Sequence, residues 1–227
     1  IPKEAKAVVS VRSCDATTFE QSIKESAAVW MQEISATEPH AKIELEKTDI
    51  AADKVLNSHS TANVIYALWL SPDGVYKMSQ EIKGMVQTSL NLGTAYLDAD
   101  KLVYKYLIRS NTAAGKKLLL ERVTTFVKHL SGKVVTMSDY PAWEYKSDSQ
   151  LRKICVDSFT NVYGHEPEVT SIHAGLECGI LAGKMPGVDM ISFGPTLESV
   201  HTPDECMNVA SVERTWEYLM EILKSLL

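Results

Sequence analysis

The sequence predicts an α/β protein in two parts. The first is an α+β portion whose antiparallel sheet carries helices on one face; the second has α/β organisation. Three observations predict this. Stretches of period-two alternation recur between stretches of 3.6-residue periodicity as far as residue 137. Two alternating runs flank Asp98-Ala99-Asp100, as in a hairpin. Beyond Tyr140-Pro141-Ala142-Trp143 the order becomes helix, strand, helix, strand, helix. The boundary is expected near residue 147, dividing 1–147 from 148–227.

The elements follow in order. Residues 5–11 (AKAVVSV) read as a strand. Phe19, Ile23, Ala27, Trp30 and Ile34 then repeat at helical spacing and mark one apolar face. Residues 41–47 alternate Ile43 and Leu45 with Lys42, Glu44 and Glu46, the pattern of a half-buried strand. Residues 49–70 are predicted helical, and Ser71-Pro72-Asp73-Gly74 is a turn. Residues 84–97 and 101–109 form the hairpin. A helix with Leu119, Val123, Phe126 and Leu130 on one face follows, ended by Gly132, and 134–137 is a further strand.

In the second part, Leu151, Cys155, Phe159 and Val162 mark a helix stopped by Gly164 and Pro167. Residues 169–175 and 188–194 read as strands. The last helix is expected to start at Ser211 as N-cap, with Val212, Trp216, Leu219, Leu223 and Leu226 as its buried stripe. Trp30, Trp69 and Trp216 are expected in the core, and Trp143 at the junction of the two parts.

Composition narrows the function. With 45% hydrophobic and 23% charged residues, the chain can bury a core. A net charge of -6 disfavours nucleic acid and polybasic membrane contact. No apolar run is long enough to span a bilayer, and IPKEAKAVVSV reads as a strand rather than a signal peptide. The four cysteines are scattered without CxxC, which fits a reduced, cytoplasmic protein and no zinc finger. The chain begins with Ile in mid-pattern, as a piece of a longer protein would.

The chemistry concentrates in residues 170–205, TSIHAGLECGILAGKMPGVDMISFGPTLESVHTPDE. His173, Gly175 and Glu177 lie on one strand-end loop and His201 on another, and such loops form ligand crevices in α/β folds. Thr202 as N-cap and Pro203 as first helical residue would fix the backbone beside the His201 imidazole, as a metal ligand requires. A bland reading stands beside each assignment. Arg109 suits an edge charge on its strand. Glu177 suits a cap on the glycine turn. Asp204 and Glu205 suit a favourable helix N-terminus. Cys178 and Cys206 suit buried thiols, and His40, His59, His129 and His165 suit the surface.

IHAGLECG followed by SFGPTLESVHTPDE resembles the signature of aminoacyl-histidine (Xaa-His) dipeptidases, of the metallopeptidase superfamily that includes the carnosinases. IPKEAKAVV, LWLSPDGV, VQTSLNLGTAYL, YLIRS and DYPAWEYKSDSQL resemble the same family in the same order, so the likeness covers essentially the whole chain. It implies a catalytic α/β domain interrupted by a lid domain that also makes the homodimer. Residues 1–147 would be most of the lid, and 148–227 the returning part of the catalytic domain. It implies two zinc ions, with manganese or cobalt as alternatives, activating a water against a dipeptide. His201 matches the last metal ligand. Arg109 matches a lid arginine for the substrate carboxylate, and His173, Gly175 and Glu177 match a substrate-binding loop. The family's HxD segment, bridging aspartate, Glu-Glu pair and further aspartate have no counterpart here. The general base and all ligands but one are therefore expected to be missing, and the chain to be inactive alone. Two other readings are a non-catalytic dimerisation module derived from the lid and, by fold analogy, a small-molecule sensor.

Overall fold

A computed structural model describes residues 2–48, 54–98, 101–171 and 177–227. The described chain forms two compact units, Pro2–Tyr66 and Ala67–Leu227. The first contains α1 (Ala16–Ile34), preceded by a 3-10 turn at Ser13–Asp15, and most of α2 (Ser58–Trp69). Phe19, Ile23, Ala27, Met31 and Ile34 make the half-buried stripe of α1. Trp30 lies off that stripe and is 56% exposed, because the repeat continues through Met31.

The second unit holds two cores. The first rests on an antiparallel sheet of β1 (Gly74–Met78), β2 (Val86–Asp98) and β3 (Lys101–Ser110), with β2 in the centre. β2 pairs with β3 from Thr88↔Ser110 to Asp98↔Lys101, with a bulge between Leu92 and Thr94. Helix α3 (Ala113–His129) packs on one face. Its Leu119 and Val123 close on Leu90, with Tyr76, Tyr106, Ile108 and Val127 around them. Each such buried aliphatic side chain is worth about 1.5–3 kcal/mol. Alternation along β3 sends Ile108 and Tyr106 into this core and leaves Arg109 and Leu107 exposed.

The second core lies between α4 (Gln150–Tyr163) and α6 (Val209–Ser225). Cys155, Tyr218 and Ile222 are buried there, flanked by Leu151, Ile154, Phe159, Tyr163 and Ile191. The Phe159 ring centroid is 4.6 Å from that of Tyr163 and 5.3 Å from that of Tyr218. Ser149 caps α4 by accepting from the Arg152 N–H, and Gly164 ends it in the left-handed region at φ 74°. A short helix α5 (Glu177–Lys184) and a two-residue hairpin, β4 (Leu197–Glu198) with β5 (Cys206–Met207), complete the unit.

Several expected elements differ. Residues 5–11, 41–47, 134–137, 169–171 and 188–194 are not strands. Alternation marks a surface suited to a sheet, but a strand forms only where a partner supplies the ladder. Residues 172–175 of the expected strand, 49–53 of the expected helix and Ala99-Asp100 of the turn lie outside the described residues. Strand β1 was masked in sequence by the turn before it. Helix α6 starts two residues before Ser211: Asn208 is the N-cap, accepting from the Ser211 N–H at 3.0 Å. Buried Ser211 instead accepts from Thr196 N–H at 2.9 Å. The buried face of α6 runs through Tyr218 and Ile222, while Trp216 is 62% exposed and Val212, Leu223 and Leu226 are exposed with it. The helix is apolar on two faces, and α4 covers one. Trp69, 83% exposed, likewise lies outside the core. Helix α3 ends at His129; the left-handed residue beyond it is Ser131, and the Gly132 N–H closes on the Val127 carbonyl.

Candidate functional site

His201 sits on the loop that joins β4 to β5, not at a helix start. The expected Thr202 cap of a helix is replaced by a hydrogen-bonded hairpin loop, because Leu197 and Glu198 pair with Met207 and Cys206 and force the chain to reverse between them. The loop is fixed by its own polar groups. The His201 N–H donates to the Glu205 carboxylate at 2.7 Å, so Glu205 serves the loop rather than a helix dipole. The Thr202 hydroxyl donates to the Ser199 carbonyl at 2.7 Å and accepts from the Asp204 N–H at 3.2 Å. Ser199 and His201 both hold left-handed backbone, at φ 53° and 67°. A residue with a Cβ is disfavoured there by about 1–2 kcal/mol.

The other expected residues are distributed as follows. Arg109 lies on β3 opposite Ser89 of β2, on the sheet face that α3 leaves open. Glu177 is exposed in the first turn of α5. His173 and Gly175 lie outside the described residues. Of the cysteines, Cys155 is buried, Cys178 half-buried and Cys206 exposed on β5, so Cys206 is not the buried thiol expected. Among the described residues no three His, Cys, Asp or Glu side chains converge as a metal site. His201 by itself does not make one.

Open hollows of about 440 Å³ and 260 Å³ lie among the described residues. None of Arg109, Glu177 and His201 lines either. Both border the irregular segment 139–147, which the sequence marks as a change of character and as part of the family resemblance. That segment is anchored at every turn. Lys116 reaches the Asp139 carboxylate and the Tyr140 carbonyl. The Glu144 carboxylate accepts from the Ala113 N–H at 2.9 Å, at the positive end of α3. Arg152 donates to the carbonyls of Lys146 and Ser147 at 2.7 and 2.6 Å, and its guanidinium lies 4.5 Å from the Tyr145 ring centroid. Asp189 receives the Ser149 hydroxyl at 2.8 Å and the Leu151 N–H at 3.1 Å. Its partial burial would raise its pKa, but these two donors, with Lys146 and Arg152, outweigh that and hold the carboxyl below the usual range.

Comparison with known proteins agrees with the sequence signature. The chain is 30% identical over its whole length to the cytosol non-specific dipeptidase of Escherichia coli, and spans 46% of that protein. It superposes on the crystal structure of aminoacylhistidine dipeptidase from Vibrio alginolyticus with a TM-score of 0.84 and 29% identity, over 95% of this chain and 44% of that one. Aminopeptidase PepT from Bacillus cereus shares the fold more distantly, with a TM-score of 0.50 and 16% identity over 73% of this chain. The chain thus spans less than half the length of these relatives. No helix among the described residues is long and apolar enough to cross a membrane. With the model of peptidase family M20/M25/M40 matching residues 44–225, the chain belongs to that family.

Proposed function

We propose that this chain is the lid and returning catalytic portion of a cytoplasmic metal-dependent dipeptidase that hydrolyses aminoacyl-histidine dipeptides. The observation that carries the reading is the His201 loop: an exposed imidazole on strained backbone, locked by Glu205, Thr202 and Ser199, in a chain of a peptidase family. His201 supplies one metal ligand. The other ligands and the general base come from sequence that the relatives have and this chain does not match. Zinc is the metal expected, with manganese and cobalt as alternatives. Arg109 receives the substrate's terminal carboxylate, for which a guanidinium fork is suited. Glu177, with His173 and Gly175, contributes to binding the substrate. Residues 1–147 are the lid side of this arrangement and 148–227 the catalytic side.

The experiment is hydrolysis of an aminoacyl-histidine dipeptide by the purified chain with zinc, alone and with the N-terminal half of a family member supplied. Hydrolysis only in the mixture, lost again in His201→Ala, supports the reading. Robust hydrolysis by the chain alone sinks the partial-site assignment.

A second reading, a non-catalytic dimerisation module, is favoured by the apolar residues that Leu68, Trp69, Leu70 and Val75 expose. It shares with the first a homodimer formed through the lid side. It differs in requiring that no hydrolysis appear in any mixture.

A further inference from the structure

Helix α5 has eight residues, too few to be stable in water without tertiary support. Its Ile180 and Leu181 are exposed, and Gly179 is its buried residue. Gly179 and Gly183 stand one turn apart on a single face. That face meets Pro141 of the 139–147 segment. A Cβ on Gly179 would lie 2.7 Å from the Pro141 carbonyl oxygen. A Cβ on Gly183 would lie 2.9 Å from the Pro141 Cγ and 3.1 Å from its Cβ. Only glycine allows this approach at Gly179, because the clashing atom there is backbone and has nowhere to move.

Pro141 is itself held in place. Lys116 of α3 grips the residues on its N-terminal side, Asp139 and Tyr140. Glu144, three positions beyond it, is fixed to the start of α3. Its ring has little conformational freedom to lose. The segment therefore presents a rigid wedge to a helix that has little else to define its position.

From this contact we infer that Pro141 is a positioning residue: seated on the Gly179–Gly183 face, it fixes α5 and with it Glu177 in the first turn. The role of Glu177 toward substrate rests on the function proposed above; the contact does not. The coupling runs from α3, through Lys116 and the 139–147 segment, to α5. A change at α3 thus reaches α5 through Pro141.

The test measures amide hydrogen exchange in the purified chain for Gly179→Ala, Gly183→Ala, Pro141→Gly and the double variant Pro141→Gly/Gly183→Ala. Gly194→Ala serves as control, since a Cβ there meets nothing within 4 Å. The amides of α5 should exchange about tenfold faster in each single variant, with α3 and α6 unchanged. The double variant should recover protection, because the new methyl fills the space the ring has left. In the zinc-loaded mixture that hydrolyses the dipeptide, Pro141→Gly should raise KM by about tenfold with kcat unchanged. Unchanged α5 exchange in Gly179→Ala and Pro141→Gly overturns the inference, whereas lost protection with an unaltered KM upholds the positioning of α5 and sinks the substrate role of Glu177. If the parent mixture hydrolyses nothing, the peptidase reading fails, and the exchange result alone decides whether Pro141 positions α5.

Discussion

The Tyr218 hydroxyl donates to the backbone carbonyl of Cys155 at 2.9 Å, so α6 is joined to α4 by a buried hydrogen bond as well as by packing. Burial, with the neighbouring Cys155, raises the Tyr218 phenol above its ordinary range. Tyr218→Phe keeps the ring against Phe159 and Phe193 and removes only the bond. It should cost about 1 kcal/mol, whereas Tyr218→Ala should cost about 3–5 kcal/mol through the cavity left behind. Urea unfolding of the two variants separates these terms. Equal losses would mean that the hydroxyl, not the ring, holds the helices.

In the sheet core, Tyr104 and Tyr106 meet edge to face with centroids 6.3 Å apart, but their hydroxyls differ. That of Tyr106 is 2.7 Å from the Ser71 hydroxyl; that of Tyr104 is buried without a partner among the described residues. Tyr104→Phe should therefore be neutral or stabilising by up to about 1 kcal/mol, and Tyr106→Phe destabilising by a similar amount.

Those same tyrosines set an alkaline limit. Burial pushes the Tyr104 phenol up to about 12. The folded state then keeps a proton that the unfolded chain releases near pH 10, so this contribution is intact below about pH 10 and is lost as pH rises toward the folded value. Thermal midpoints across that range should fall less steeply in Tyr104→Phe than in the parent. Parallel curves would show that Tyr104 titrates normally.

Asp189 sets the opposite limit. Its folded pKa is depressed, so its contribution is present above the unfolded value near 4 and is lost as pH falls through the lower folded value. Asp189→Asn, which cannot serve Ser149, Leu151 and Lys146 equally, should cost about 1–3 kcal/mol at neutral pH and less in acid. A loss that stays constant down to pH 2 would contradict this assignment.

At His201 stability and function should part. His201→Gly relieves the left-handed strain at the cost of a more flexible unfolded chain, and the two nearly cancel, leaving stability within about 0.5 kcal/mol. The same variant should abolish hydrolysis in the complemented mixture. A large loss of stability would instead make His201 a structural residue.

Much of this was legible in the chain. The β2–β3 hairpin follows from alternation on either side of Asp98-Ala99-Asp100, and α4 from the spacing of Leu151, Cys155, Phe159 and Val162 with Gly164 as stop, all of them local signals. The His201 segment was legible as a signature. Its conformation was not, since Thr202-Pro203 reads equally as a helix start or a turn, and the choice was made by pairing of Leu197 with Met207. The role of segment 139–147 was not legible at all: Lys116, Glu144, Arg152 and Asp189 are ordinary surface charges until the fold brings their partners near.

By itself, then, the sequence determined the helices that have caps and an apolar period, the hairpin, the acidic balance, and the family to which the His201 signature belongs. These depend on neighbours within a few positions along the chain, or on the order of residues alone. Tertiary structure decided which face of α6 is buried, which alternating runs become strands, and where Pro141 rests. Each of those depends on a partner distant in sequence: α4 for Tyr218 and Ile222, a ladder that residues 5–11 and 41–47 lack among the described residues, and two glycines about forty positions beyond Pro141, one meeting its carbonyl and the other its ring.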